Sequence, residues 1–443
     1  MNIKISDRFN YRKLLRFTFP SIIMMIFTSI YCIVDGFFVS TFAGKTAFAA
    51  VNFIMPYLMI LGTLGFMFGA GGSALVAKTL GEGDKERANK YFSLLVYASV
   101  VCGIILSLVG MVFLRPAAIL LGAEGEMLDL SVKYGRIVLW AVPVFMLQME
   151  FQSFFVTAEK PKLGLISTIA AGITNIVLDA LLVGLTPYKL EGAAIATAMS
   201  QAVGGIFPIL YFSRKNTSLL RLTRTNFDLF ALLKTCANGS SELMSNISMS
   251  LVGMLYNIQL LKYAEEDGVA AYGVLMYVNM IFIAIFIGYS VGSAPIIGYH
   301  YGADNKDELK SILKKSCIII GICSILMLGF AELLAKPLSL LFVGYDAQLT
   351  DLTTRGFVIY SFSFLFAGFA IYGSSFFTAL NDGLTSAIIS FMRTLVFQIA
   401  AVLLLPLAFG IDGIWYSIVV AELMAVALVI FFLFLKKKKY GYM

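Results

Sequence analysis

The chain has 443 residues, 59% of them hydrophobic and only 13% charged, with a mean hydropathy of +0.88. A soluble domain is nearer half apolar and a quarter charged, so this composition excludes an ordinary water-soluble fold. The net charge of +7 would suit a nucleic-acid partner, but the basic residues are distributed as membrane topology signals, which excludes that class.

A helix that crosses the hydrocarbon core needs roughly 20 mostly apolar residues. By that measure the sequence predicts twelve spans, at 14–40, 48–77, 91–114, 134–157, 163–186, 190–212, 235–261, 269–297, 313–334, 355–380, 386–409 and 412–435. The connections are too short for a soluble domain. The first span is too long for a signal-peptide core and is expected to remain as a membrane helix. It contains "IYCIVDGFFV" (30–39), in which Asp35 is a lone carboxylate in an apolar run. A charge at a helix centre costs about 3 kcal/mol on insertion scales, which makes Asp35 a candidate ion or proton site. The competing reading is a neutral acid in a structural hydrogen bond.

Span four holds "QMEFQSFFVTAEKPK", with Gln148, Gln152 and Ser153. Span five, "STIAAGITNIVLDALLV" (167–183), sets Thr168, Gly172, Asn175 and Asp179 at i, i+4, i+7 and i+11, all on one helix face. Asn175 and Asp179, one turn apart, can direct two oxygens at one ligand. Thr197 and Gln201 repeat the i, i+4 spacing in span six. Hard oxygen ligands suit a monovalent cation such as Na⁺, and the same carboxylates can take a proton instead. Competition between the two would couple ion movement to a conformational change. A polar seam that only packs helices is the alternative.

The charged segment "SRKNTSLLRLTRTNFDLFALLK" (213–234) reads as an amphipathic cytoplasmic linker. Span seven, "NGSSELMSNISMS" (238–250), carries Glu242 near its start, and at least one face is expected to line an aqueous cavity. Arg393 and Glu422 lie in spans eleven and twelve, and their spacing does not imply a pair. Tyr31, Phe38, Tyr57, Tyr256, Tyr272, Tyr277 and Tyr289 could hold a flat organic cation, although membrane packing and interfacial belts account for most of them. Tyr31, Gln152, Gln201, Tyr256 and Asn257 are the candidate substrate-cavity residues.

An internal repeat orders these spans. "GSA" at 72–74 recurs at 292–294, "LGEGDKE" (80–86) as "YGADNKD" (301–307), "SFF" at 153–155 at 375–377, and "GAAIATAMSQ" (192–201) aligns with "GIWYSIVVAE" (413–422). Six spans in each half mean that both halves enter the membrane in the same direction, related by an axis along the membrane normal. The expected fold is therefore an all-α membrane protein of twelve transmembrane helices in two six-helix bundles with a pseudo-two-fold axis. Its parts are an N-terminal lobe (1–212), the linker (213–234) and a C-terminal lobe (235–443), able to rock about a shared cavity. The repeat sets Tyr256, Phe397 and Ala401 opposite Asp35, Asn175 and Asp179, which confines the candidate ion site to the first half.

With both termini cytoplasmic, basic residues on that side outnumber those on the other by three to one, a positive-inside pattern. The five cysteines form no CxxC pair, and the single histidine, His300, is assigned to a loop. No GxxxxGK[ST] or HExxH motif occurs, so neither ATP-driven transport nor an enzyme is expected, and the energy source would be an ion gradient.

With the repeat and the polar residues in place, the sequence resembles the multidrug and toxic compound extrusion (MATE) transporters over nearly its whole length. The resemblance is carried by "VDGFFVSTFAG", "GSALVAKTLGEGDKERA", "NIVLDALLV", "GAAIATAMSQ", "GSAPIIGYHYGADNKDE" and "SSFFTALNDG" in this order. It implies a cation or proton site in the amino-terminal lobe made of Asp35, Asn175, Asp179 and Thr197. The asparagine that many members place in span four is absent, and Thr157 stands where an arginine is common. The implied function is export of amphiphilic, cationic organic compounds by antiport against H⁺ or Na⁺. The alternative is a flippase of lipid-linked oligosaccharide from the same superfamily, which would want a more cationic cavity than Arg393 alone provides. No cofactor is expected beyond the coupling ion. The expected partners are a small organic substrate and the lipid bilayer, with the chain a monomer in the cell membrane.

Overall fold

The structure, a computed structural model, describes residues 3–442 except for the side chain of Lys45; the outermost ends of both predicted lobes, 1–2 and 443, lie outside it. Every regular element among the described residues is helical. The first half contains α1 (Tyr11–Phe38), α2 (Lys45–Gly81), α3 (Lys85–Leu121), α4 (Gly125–Leu139), α5 (Val142–Thr157), α6 (Pro161–Leu178) and α7 (Lys189–Ser213). After a connection without regular structure come α8 (Leu229–Gly302), α9 (Lys306–Val343), α10 (Ala347–Ser361), α11 (Phe364–Ala379), α12 (Gly383–Phe391), α13 (Phe397–Phe409) and α14 (Ile411–Tyr440). Among the described residues, nine helices are long and apolar enough to cross a membrane, or eleven if each of two bent pairs forms one span.

Three helices widen into π-helical turns: α1 over Val39–Ala43, α6 over Asp179–Leu185, and the α12–α13 junction over Met392–Val396. α8 runs for 74 residues, but Ala264 (φ −148°, ψ 20°) and Glu265 (φ 51°, ψ −141°) leave helical geometry and break it in two. This break falls where the sequence left a gap between spans seven and eight.

Spans four and ten were expected as single helices and are bent pairs instead. α4 meets α5 at 60°, and α10 meets α11 at 47°. Pro143 stands in the first turn of α5, where its missing N–H costs nothing and its ring obstructs continuation from α4. The second bend contains no proline.

The local geometry repeats with the sequence. Asp84 caps α3 by accepting from the Arg87 N–H, and Asn305 caps α9 by accepting from the Glu308 N–H. The residue before each cap, Gly83 (φ 87°) and Asp304 (φ 50°), is left-handed. Glu159 (φ 59°) and Asn381 (φ 57°) form a second such pair, after α5 and α11.

α8 packs along α1 and α2, and glycines permit the approach. A Cβ at Gly81 would lie 2.0 Å from the Tyr299 carbonyl oxygen, and one at Gly302 would lie 2.0 Å from that of Lys78. Gly288 and Gly292 likewise abut the α1 backbone at Ile22 and Thr18. Small residues are what let membrane helices pack backbone against backbone.

Both chain ends fasten the same side. The Ile5 N–H donates to Glu159 (2.7 Å) and the Phe9 N–H donates to Glu308 (2.8 Å). His300, assigned to a loop by the sequence, lies inside α8 and is buried, its Nε2 3.2 Å from the Asp7 carbonyl oxygen. The Tyr440 hydroxyl donates to Asp382 (2.7 Å), which also meets Lys436 (3.4 Å). The connection 214–228 carries no regular element and is held by the Arg221 N–H donating to Asn89 and the Thr223 N–H donating to Ser93, each at 2.8 Å.

Candidate functional site

The apolar helices of the first half enclose one concentrated polar cluster. α1 presents Tyr31 and Asp35 one turn apart, and α6 presents Asn175 one turn before Asp179. Asp179 opens the π-helical turn, so the helix widens where this carboxylate enters the cluster. Such turns recur at functional sites because they re-aim one side chain without ending the helix. The Asp35 carboxyl has Asp179 and Asn175 as its nearest polar neighbours. α7 contributes Thr197, which faces the Tyr134 hydroxyl from α4. The Tyr31 hydroxyl faces the Gln148 amide of α5.

Asp179 is fully buried, and Asn175 is 2% exposed. Asp35 Oδ1, Asn175 Oδ1, both Asp179 oxygens, Thr197 Oγ1, Gln201 Oε1 and the Tyr134 hydroxyl have no hydrogen-bond partner among the described residues. A buried polar atom left unpaired costs about 1–3 kcal/mol. Orphaned atoms crowded at one place mark a site built for something the chain itself does not supply. All of them are oxygens, three belonging to carboxylates, so the set suits a proton or a hard monovalent cation. No group of three or more His, Cys, Asp or Glu among the described residues could hold a transition metal.

The structure brings Asp35, Asn175, Asp179 and Thr197 together, with Tyr31 and Gln201 on the same helices. Gln152 is buried beside Gln148 in a small pocket between α5, α6 and α7. Tyr256 and Asn257 lie in α8 and do not join this cluster. The Tyr256 hydroxyl donates to Gln398 (2.7 Å), and its ring stacks on Tyr272 at 5.3 Å, whereas Asn257 is exposed. Tyr57 and Tyr289 are also committed internally, to the Gly110 carbonyl and to Ser316.

Two residues escaped the sequence reading. Tyr134 lies at the edge of a predicted span, 134–157, and carried no signal of its own. Glu150, hidden in "QMEFQ", is fully buried with both oxygens unpartnered among the described residues, and Ser99 is its polar neighbour. Its lone carboxylate in an apolar run was the same signal that singled out Asp35.

The second half holds a different cluster. Arg393, on the π-helical turn, donates through Nε to both Glu422 oxygens, at 2.8 and 3.1 Å. Glu242 is close enough to feel the guanidinium charge. The sequence left this ion pair open.

The MatE family model matches residues 20–181 and again 243–404, once in each half. The chain is 25% identical to the multidrug export protein MepA of Staphylococcus haemolyticus over 96% of this chain and 93% of that protein. It is 24% identical to MepA of Staphylococcus aureus, over 93% and 91% of the two chains. Among solved structures, a MATE protein in complex with MaL6 superposes with a TM-score of 0.93 at 21% identity, covering 98% of both chains. A multidrug resistance MATE transporter of the MOP superfamily in an outward-facing conformation gives 0.89 at 23% identity, also over 98% of each chain.

Proposed function

The chain belongs to the MatE family, and from that premise we propose that it is a secondary exporter of multiple amphiphilic, cationic organic compounds, driven by antiport against H⁺ or Na⁺. The observation that carries this reading is the set of orphaned oxygens around Asp35, Asn175, Asp179 and Thr197. One cation would be ligated by several of them at once, one proton would join a carboxyl oxygen to a neighbouring acceptor, and either relieves the repulsion between the two carboxylates.

The architecture supports alternating access. Counting the broken α8 as two spans and each bent pair as one gives twelve, six in each of the lobes 1–212 and 235–443, joined by the linker 213–234. With both termini cytoplasmic, the glycine-lined junction of α2 with α8 closes the cytoplasmic side, which corresponds to an outward-facing state of a monomer in the cell membrane. The ion at the first-lobe cluster and the substrate in the cleft would favour different tilts of the lobes, so that binding of one promotes release of the other. The flippase alternative gains little, because Arg393 is committed to Glu422 and is not free to bind a diphosphate.

The deciding experiment loads proteoliposomes with a fluorescent organic cation and imposes a pH or Na⁺ gradient. Gradient-dependent movement of the dye is the expected result. Movement indifferent to both gradients would remove the antiport reading.

A further inference from the structure

A cavity of about 240 Å³ lies where the α2–α3 turn meets the start of α8. That is room for roughly eight water molecules. Its charged lining is Lys78, Glu82 and Arg87 from the first half and Lys234 from α8, with Tyr91 and Phe230 as aromatic walls. Three cations thus face one carboxylate. Lys78 approaches Glu82 at 3.5 Å, and Arg87 spends its Nε on the Tyr91 hydroxyl at 2.7 Å. Lys234 has no salt bridge among the described residues and lies near both Lys78 and Arg87.

Around Phe230, which lines the cavity, the chain leaves apolar side chains unburied. Phe227, Leu229, Phe230 and Leu233 are 75%, 57%, 77% and 58% exposed. They lie where the charged connection 214–228 passes into α8. An excess of positive charge in a cavity, bordered by unburied aromatic and aliphatic side chains, is complementary to a molecule with an anionic head and an apolar body.

We propose that this cavity binds a phosphate-bearing anion, and that the exposed apolar side chains next to Phe230 make an anionic phospholipid headgroup its source. Lys234, Lys78 and Arg87 would hold the phosphate, while acyl chains run along Phe227, Phe230 and Leu233. Because the lining comes from both sides of the α2–α8 junction, the bound anion favours the arrangement in which those sides meet.

The test uses the full-length protein in neutral detergent, titrated separately with phosphatidylglycerol, phosphatidylcholine and inorganic phosphate, and followed by thermal unfolding and native mass spectrometry. Phosphatidylglycerol should bind saturably and raise the unfolding midpoint, whereas phosphatidylcholine should not. Lys234→Gln and Arg87→Gln should each weaken binding several-fold. Lys234→Arg should retain it, and Lys437→Gln, a basic residue at the far end of α14, should leave it unchanged. Inorganic phosphate with the same dependence on Lys234 and Arg87 would support the site with free phosphate as its source. Phosphatidylglycerol binding that Lys234→Gln and Lys437→Gln change equally, or that no variant changes, overturns the proposal.

Discussion

Gly71 and Gly239 pack backbone against backbone where α2 crosses α8. A Cβ on Gly71 would lie 2.2 Å from the Thr235 carbonyl oxygen, and one on Gly239 would lie 2.0 Å from that of Met67. Neither helix can yield locally, because both obstacles are main-chain atoms. The two halves can meet in this conformation only while both positions lack a side chain.

Gly71→Ala should therefore destabilise the closed junction rather than the protein. Overpacking of this kind costs about 1–3 kcal/mol, which corresponds to roughly a 5- to 150-fold shift between two states. Spin labels at Lys85 and Lys306, on the repeat-equivalent turns, should report a longer mean distance in Gly71→Ala than in the parent. Gly253→Ala is the control, since nothing lies within 4 Å of its added Cβ. An unchanged distance distribution in Gly71→Ala would separate the glycine contact from closure.

The amino-terminal arm should act in the same direction. Ile5 bonds to Glu159 in the first half and Phe9 bonds to Glu308 in the second, so residues 3–9 bridge the two. Lys315 adds a bond to the Phe9 carbonyl oxygen. Glu308→Ala leaves the buried Phe9 N–H without its acceptor, at a cost of about 1–3 kcal/mol. Hydrogen exchange of residues 5–9 should accelerate in this variant, and that of α10 should not. Equal protection in the variant and the parent would show that the arm docks through its apolar side chains alone.

The carboxy-terminal tail should dock in a pH-dependent way. Burial alone would raise the Asp382 carboxyl, but hydrogen bonds from Tyr440 and Thr385, with the Lys436 charge, hold it below its ordinary value of 3.8. A carboxylate depressed in the folded state contributes stability that is present above its unfolded value and lost as the pH falls through the folded one. Protection of residues 436–442 should therefore be constant at neutral pH and fall only in acid below about pH 4. Asp382→Asn should lower that protection at neutral pH and flatten its pH profile. A steep profile retained in Asp382→Asn would assign the titration elsewhere.

The first-half cluster was largely legible because its signals are local. Asn175 and Asp179 share a face through the helical period alone, and Asp35 stands out as a charge in an apolar run. Tyr134 was not legible, because it reaches Thr197 only through the 60° bend between α4 and α5, which no hydrophobic period encodes. Arg393 and Glu422 are 29 residues apart on different helices, so only tertiary packing joins them. The apolar runs followed the same division: their helical character was readable, whereas the bends and π-helical turns that aim their polar residues were not.

The ion pair also changes what the second half is expected to do under mutation. Repeat equivalence sets Glu422 opposite Gln201, which would make Glu422→Gln a mild change. The structure reverses that expectation: Glu422 is 5% exposed and Arg393 16%, and removing one partner of such a pair strands the other charge, at a cost of about 3 kcal/mol. Glu422→Gln should therefore lower thermal stability markedly, while Arg393→Gln combined with Glu422→Gln should recover most of the loss. Asp179→Asn and Asp35→Asn should behave in the opposite way. Each removes a buried charge without stranding a counter-ion, so the protein should remain folded, yet the site loses a carboxylate that can take up and release H⁺ or Na⁺. Initial gradient-driven export at matched expression should collapse in both Asp variants and persist in the Arg393/Glu422 double variant. Normal export by Asp179→Asn together with a folded but inactive double variant would move the coupling site from the first half to the second.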